Sequence, residues 1–247
     1  MKYFAKIKYL GTAFHGFQFQ PELRTVQGEL TRACEECLGV SVRVTGSSRT
    51  DAGVHANGFC ITIDADGATV PPEKLPLAIA KFLPEDISLF YAKVIDSDFH
   101  PRYDSKSKEY LYRIYNAQVA DPFERGRSWF LPRIIDDASL DLMRRAAEKI
   151  IGKHDFSAFM SAGSDVEDTV RTVHSISLER VGSVINVRVR ADGFLYNMVR
   201  IIVGTLVEVA FNRFSPDDIP AIIESGDRLR AGMCAPADGL YLDSVEY

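Results

Sequence analysis

Residues 40–65 read VSVRVTGSSRTDAGVHANGFCITIDA. The two ends, VSVRVTG (40–46) and NGFCITIDA (57–65), are rich in β-branched residues and read as strands. Between them lies a run of small residues that favour turns and hydrogen-bond to nearby main chain, which accounts for its Ser, Thr, Asp and Gly. It does not account for Arg49, two positions before the run's one carboxylate, Asp51, or for His55, four positions after it. A strand, a tight loop and a second strand commit this part of the chain to a sheet.

Strands and helices alternate outward from it. Tyr3, Ala5, Ile7 and Tyr9 alternate with Lys2, Lys6 and Lys8, the period of a half-exposed strand with one basic face. In TVQGELTRACEECLG, Val26, Leu30, Ala33, Cys34, Cys37 and Leu38 form one helical stripe, with Thr25 as cap and Gly39 as stop. A helix is expected between Pro72 and Pro84, and strands at ISLFYAKVID (87–96) and KEYLYRIYN (108–116). Residues 117–135 read as an irregular connection with Pro122, Gly126 and Pro132. Beyond it come a helix (137–152), strands VRTVHSISLER and SVINVRVRA, a long apolar helix from about Leu195 to Phe211, a short helix after Pro216 and a last strand, GLYLDSVEY. The expected fold is α+β, in two antiparallel-sheet halves at 1–116 and 136–247.

The 247 residues, 46% hydrophobic and 26% charged, suffice for one large domain or two joined ones. No apolar run reaches bilayer length and MKYFAKIKYL is not a signal-peptide block, so a soluble, cytoplasmic chain without a membrane partner is expected. The four cysteines read as reduced thiols; a lone CEEC and five scattered histidines lack zinc spacing, and no metal is expected. The net charge of −5 is uneven: residues 1–60 carry seven Lys and Arg against five Asp and Glu, 101–133 seven against four, and 186–213 four against two. A basic cleft on an acidic body and an ordinary mixed surface both fit that pattern.

An aspartate in a turn is ordinarily solvated or caps backbone. Here Arg49 stands close enough to favour the ionised form, and Gly53 lets a ligand approach. A nucleophilic or basic carboxylate fits, whereas no second Asp or Glu stands out as the partner that glycosidase chemistry needs. GSSRTDAGVHA (46–56) resembles the signature loop of the tRNA pseudouridine synthase A (TruA) family, with Asp51 on the family's catalytic aspartate. YLGTAFHGFQFQ, FHPRYDSKSKEYLYRIYN, DGFLYNMVRIIVGTLVEVA and APADGLYLDSVEY resemble its other blocks, in family order from Tyr3 to Tyr247. Leu10 replaces a customary acidic residue, Phe17 a Trp and Ser48 a Gly.

The resemblance implies two α+β halves related by a pseudo-twofold and joined around a central cleft, a homodimer, and tRNA as partner, through the anticodon stem-loop at positions 38, 39 and 40. It implies an isomerase that turns uridine into pseudouridine. The C1′–N1 bond breaks and a C1′–C5 bond forms without redox change, so no cofactor is expected, in keeping with the absence of dinucleotide and phosphate-loop motifs. Asp51 then acts by attacking C1′ or by removing the C2′ proton. Arg200 matches the arginine paired with that aspartate; Tyr110 matches the tyrosine that stacks on the base and helps remove the C5 proton; Leu195 closes the pocket. Arg49 fills the space left by the everted nucleotide, and His55 either shapes the loop or touches RNA. Lys2, Lys6, Lys8, Arg43, Arg102, Lys106 and Lys108 are candidate phosphate contacts. Two other classes fit less of the chain: a tRNA-folding module without turnover, and a nucleosidase that would release free uracil.

Overall fold

The alternation at the start of the chain becomes a strand, β1 (Lys2–Tyr9), whose Tyr3, Ala5, Ile7 and Tyr9 are all buried. Phe4, on the lysine side, is buried as well, because the rings of Tyr91, Phe99 and Tyr247 pack edge-on around it. The computed structural model describes residues 1–163 and 166–247, and contacts divide the chain into two units, Met1–Lys106 with Tyr241–Tyr247, and Ser107–Leu240.

In the first unit β1 pairs antiparallel with β3 (His55–Asp64) on one side and β4 (Ile87–Val94) on the other. A short strand, β2 (Arg43–Gly46), pairs with the far end of β3. The last strand of the chain, β10 (Leu240–Glu246), lies parallel to the near end of β3, with Tyr241 opposite His55 and Leu242 opposite Ala56. Helix α1 (Val26–Leu38) begins where Thr25 Oγ1 accepts the Gly28 N–H at 3.2 Å and ends at Gly39 in the left-handed region, both as the sequence predicts. It buries Val26, Leu30, Ala33 and Cys34, and one such leucine contributes about 2 kcal/mol. Helix α2 (Leu75–Ala80) is shorter than the proline spacing suggests, because Lys74 and Leu75 donate to Pro71 and Pro72 in a preceding turn.

The second unit runs β5 (Ser107–Asn116), β9 (Val184–Ala191), β8 (Val170–Val181), β7 (Gly152–Asp155) in antiparallel succession. Residues 117–135 are not wholly irregular: β6 (Trp129–Leu131) adds in parallel to Ile114–Asn116. Helix α3 (Asp137–Glu148), capped by Asp136, packs on β8 and on α4 (Met198–Ala210), and α5 (Ile219–Ser225) follows a 3-10 turn at Pro216–Asp218. Both units are α+β. Their boundary falls at 106/107, and residues 241–247 count with the first, whereas the sequence suggests halves at 1–116 and 136–247. The reason is pairing: β5 is bonded along its length to β9, and β10 to β3. Among the described residues no helix is long and apolar enough to cross a membrane.

Candidate active site

Three of the six candidate site residues, Arg49, Asp51 and His55, stand on or at the end of the loop between β2 and β3. The loop is tied down through its backbone. Thr50 C=O accepts the Phe17 N–H at 3.0 Å, Gly53 N–H donates to Phe14 C=O at 3.4 Å, and Val54 N–H donates to Asp51 C=O at 3.2 Å. Thr50 is buried with its hydroxyl 2.7 Å from that of Tyr9. The neighbouring side chains turn outward: Arg49 is exposed and Asp51 half-buried. Two glycines of the 11–16 segment make this fit possible. A Cβ on Gly11 would collide with Val54 C=O, and Gly16 adopts φ +91° with Thr50 C=O 2.7 Å from where its Cβ would stand.

His55 is fully buried, its Nδ1 accepts the Gly11 N–H at 2.9 Å, and its ring stacks on Tyr241 with centroids 4.5 Å apart. An imidazolium has no lone pair to accept with, so this ring is neutral. Its place is that of a loop-shaping residue. Phe17, which departs from the family's Trp, is core: it is buried, stacks on Phe59 at 4.3 Å, and leaves no room for a Cβ on Gly46. Leu10 is exposed and Ser48 half-buried.

The other three residues belong to the second unit. Every residue of α4 is buried except Arg200, which is half-buried. Its Nε donates to Ala235 C=O and its Nη1 to Asn197 Oδ1, both at 2.7 Å, so the guanidinium plane is fixed from two sides. Asn197, in the left-handed region at φ 61°, is itself held, since its Nδ2 donates to Ser161 Oγ at 3.0 Å. Tyr110 is buried on β5 opposite Val189, and Phe194 meets its ring edge-on at 5.0 Å. Leu195 is buried, and its C=O accepts the Met198 N–H at the start of α4. Tyr112, on the same face of β5, donates its hydroxyl to Pro236 C=O at 2.7 Å. Burial pushes that phenol well above the usual tyrosine range, against the opposing pull of the Arg200 charge. Sequence reasoning missed Asn197 and Phe194, although both lie inside DGFLYNMVR.

The candidate phosphate contacts divide. Lys2 is a structural residue: its Nζ donates to Ser97 and Phe99 carbonyls at 2.6 and 2.8 Å and lies 3.8 Å from Asp64. Lys8, Arg43, Arg102 and Lys106 are exposed, and Lys6 and Lys108 half-buried. Arg24, which the sequence does not single out, makes a bidentate pair with Asp86 at 2.8 and 2.9 Å and covers the Phe14 ring, fastening the segment that clamps the loop.

Residues 5–104 and 146–247 match the profile of a family described as tRNA pseudouridine synthase. Tyr110, at 110, is the one candidate site residue outside those ranges. Similar over the full length are the tRNA pseudouridine synthase A of Acetivibrio thermocellus, 44% identical across 98% of this chain and 97% of its own, and tRNA pseudouridine synthase A 2 of Clostridium tetani, 41% identical across 98% and 97%. That of Halalkalibacterium halodurans is 42% identical across 95% of this chain and 88% of its own. With both units matched and the similarity running end to end, the chain belongs to the tRNA pseudouridine synthase A family of isomerases.

Proposed function

We propose that this chain isomerises uridine to pseudouridine at positions 38, 39 and 40 of the tRNA anticodon stem-loop, with Asp51 as the group that acts on the sugar. The supporting observation is the loop itself: one half-buried carboxylate on a loop held at its backbone by Phe14 and Phe17 and at the Thr50 hydroxyl by Tyr9, an arrangement suited to positioning Asp51 before substrate arrives. In this reading the everted uridine loses its C1′–N1 bond, either to attack by the Asp51 carboxylate at C1′ or after it takes the C2′ proton. The base turns and C5 bonds to C1′, with the Asp51–C1′ bond breaking on the first route and the proton returning to C2′ on the second; the C5 proton then leaves and N1 is protonated. Atoms and electrons balance without a further reagent.

Arg200 is proposed as the cation that keeps Asp51 ionised, and its preset guanidinium suits that role. Tyr110 is proposed to stack on the base, Leu195 to line the same pocket, and Arg49 to hold the vacated stem; the exposure of Arg49 is compatible with such contact. His55 acts on the loop and not on RNA. A homodimer working in the cytoplasm completes the reading.

The test uses tRNA carrying tritium at uridine C5, from which the wild-type protein should liberate tritiated water. Asp51→Asn should bind the same tRNA and lose release by about 10³-fold or more. Turnover surviving in that variant sinks the assignment of Asp51. Pseudouridine mapping in tRNA from a strain lacking the gene checks the positions, and loss at sites other than 38–40 refutes that part.

A further inference from the structure

The lysine face of β1 continues onto β4, the outermost strand of its sheet. Phe4 pairs with Lys93, Lys6 with Tyr91 and Lys8 with Ser88, and the register slips between Lys6 and Ile7. With Tyr91 on the lysine face, strict alternation would send Phe90 to the opposite side, toward the core. The slip is a bulge that turns Phe90 back, and Lys8 Nζ lies 5.1 Å from its ring centre. Two consecutive aromatic rings therefore share one face, 44% and 43% exposed. Lys93 Nζ stands 5.5 Å from the ring of Phe4, which packs beneath Tyr91. Neither strand contains an Asp or Glu.

Lysines alone would guard a sheet edge against pairing with another chain. A bulge serves the same end, but neither device calls for a second exposed ring among the lysines. Exposed rings beside ammonium groups match a ligand that has a flat π-face and a phosphate on the same unit, which describes an unpaired nucleotide. We propose that Phe90 and Tyr91, with Lys6, Lys8 and Lys93, form a stacking site for an unpaired nucleotide of the tRNA, separate from the uridine that reacts. The inference rests on the tRNA reading above. The site positions substrate and takes no part in bond making.

The experiment titrates the full-length protein with an unmodified tRNA transcript and follows tritium release from the same molecule. Phe90→Ala/Tyr91→Ala should raise both Kd and KM about tenfold with the loss confined to KM, and Phe90→Tyr/Tyr91→Phe, which keeps both rings, should restore them. Phe90→Trp should show tryptophan quenching on tRNA addition beyond that of Trp129 in the parent. Lys8→Ala should lower the slope of log affinity against log salt by about one. Wild-type affinity in the double alanine variant, or no added quenching in Phe90→Trp, overturns the site. So does a change of sedimenting mass at unaltered tRNA affinity, which would make the edge a contact between copies of the chain. A wild-type protein that neither binds tRNA nor releases tritium refutes the functional reading itself, so the two failures are distinguishable.

Discussion

Asp51 sits on a loop whose stiffness comes from the main chain of another segment: Phe14 and Phe17 bond to its backbone, and Gly11 and Gly16 let that segment approach closely enough to do so. Arg200 sits on a helix buried at every other position, and its own side chain is aimed by Ala235 and Asn197. The backbone that carries Asp51 is thus held by a neighbouring segment, and the Arg200 guanidinium by hydrogen bonds of its own. The contrast teaches where each is vulnerable. The loop breaks through residues that never touch substrate, while the arginine can be loosened one bond at a time.

Gly11→Ala attacks the first arrangement at its tightest point. It should cost about 3 kcal/mol in urea denaturation and abolish tritium release, since Val54 C=O occupies the space of the new methyl. Gly204→Ala is the matching insult to α4, where a Cβ would strike Met233 C=O. Helix propensity returns about 1 kcal/mol, so the net loss should be nearer 2 kcal/mol, and turnover should fall only in part, through the shift of the Met233–Ala235 backbone that holds Arg200. Equal losses of activity in the two variants would erase the distinction.

Arg200→Lys keeps the charge and discards the fork. Losing two charged hydrogen bonds of roughly 1.5 kcal/mol each should slow turnover about a hundredfold, read as kcat for tritium release. Asn197→Gly removes one of them while suiting the left-handed backbone at φ 61°, and should slow it about tenfold with little change in the urea midpoint. If the glycine variant is as slow as the lysine variant, Asn197 does more than aim the arginine.

The smallest effect concerns α1. Burial pushes the Cys34 thiol up to about 12, with the neighbouring Cys37 adding to the rise. A raised folded value means that its contribution is whole below the unfolded value of about 8.5 and is lost as pH climbs toward 12. Between pH 8 and 9 this group should account for a loss of stability on the order of 1 kcal/mol, which Cys34→Ala should remove. An unchanged pH dependence in that variant would show that the thiol ionises freely in the folded chain.

Local signals in the sequence carry far. Thr25 and Gly39 mark both ends of α1, and the alternation of Tyr3, Ala5, Ile7 and Tyr9 gives the buried face of β1. What escapes has a physical cause. The strands β6 and β7, three and four residues long, are too short for a period to register. The return of β10 to the first unit is a parallel pairing across the chain, which leaves no local trace. The strand at 87–96 is legible, but the bulge at Phe90 within it is not, because a register slip depends on the partner strand. At the site, the signature loop is legible as a motif, but nothing in it reveals that His55 accepts a bond from Gly11, or that Lys2 spends its ammonium on two carbonyls.

The place of β10 has a consequence for biosynthesis. Residues 241–247 complete the unit begun by residues 1–106, yet the ribosome makes them only after all of 107–240. At ordinary elongation rates that interval is on the order of ten seconds. Throughout it, His55 lacks the Tyr241 ring and the Lys106 N–H lacks the Glu246 carbonyl. The nascent first unit therefore waits with only the near end of one flank of β3 unpaired, and a ribosome that stalls late leaves a chain in which His55, at the end of the Asp51 loop, has no ring against it.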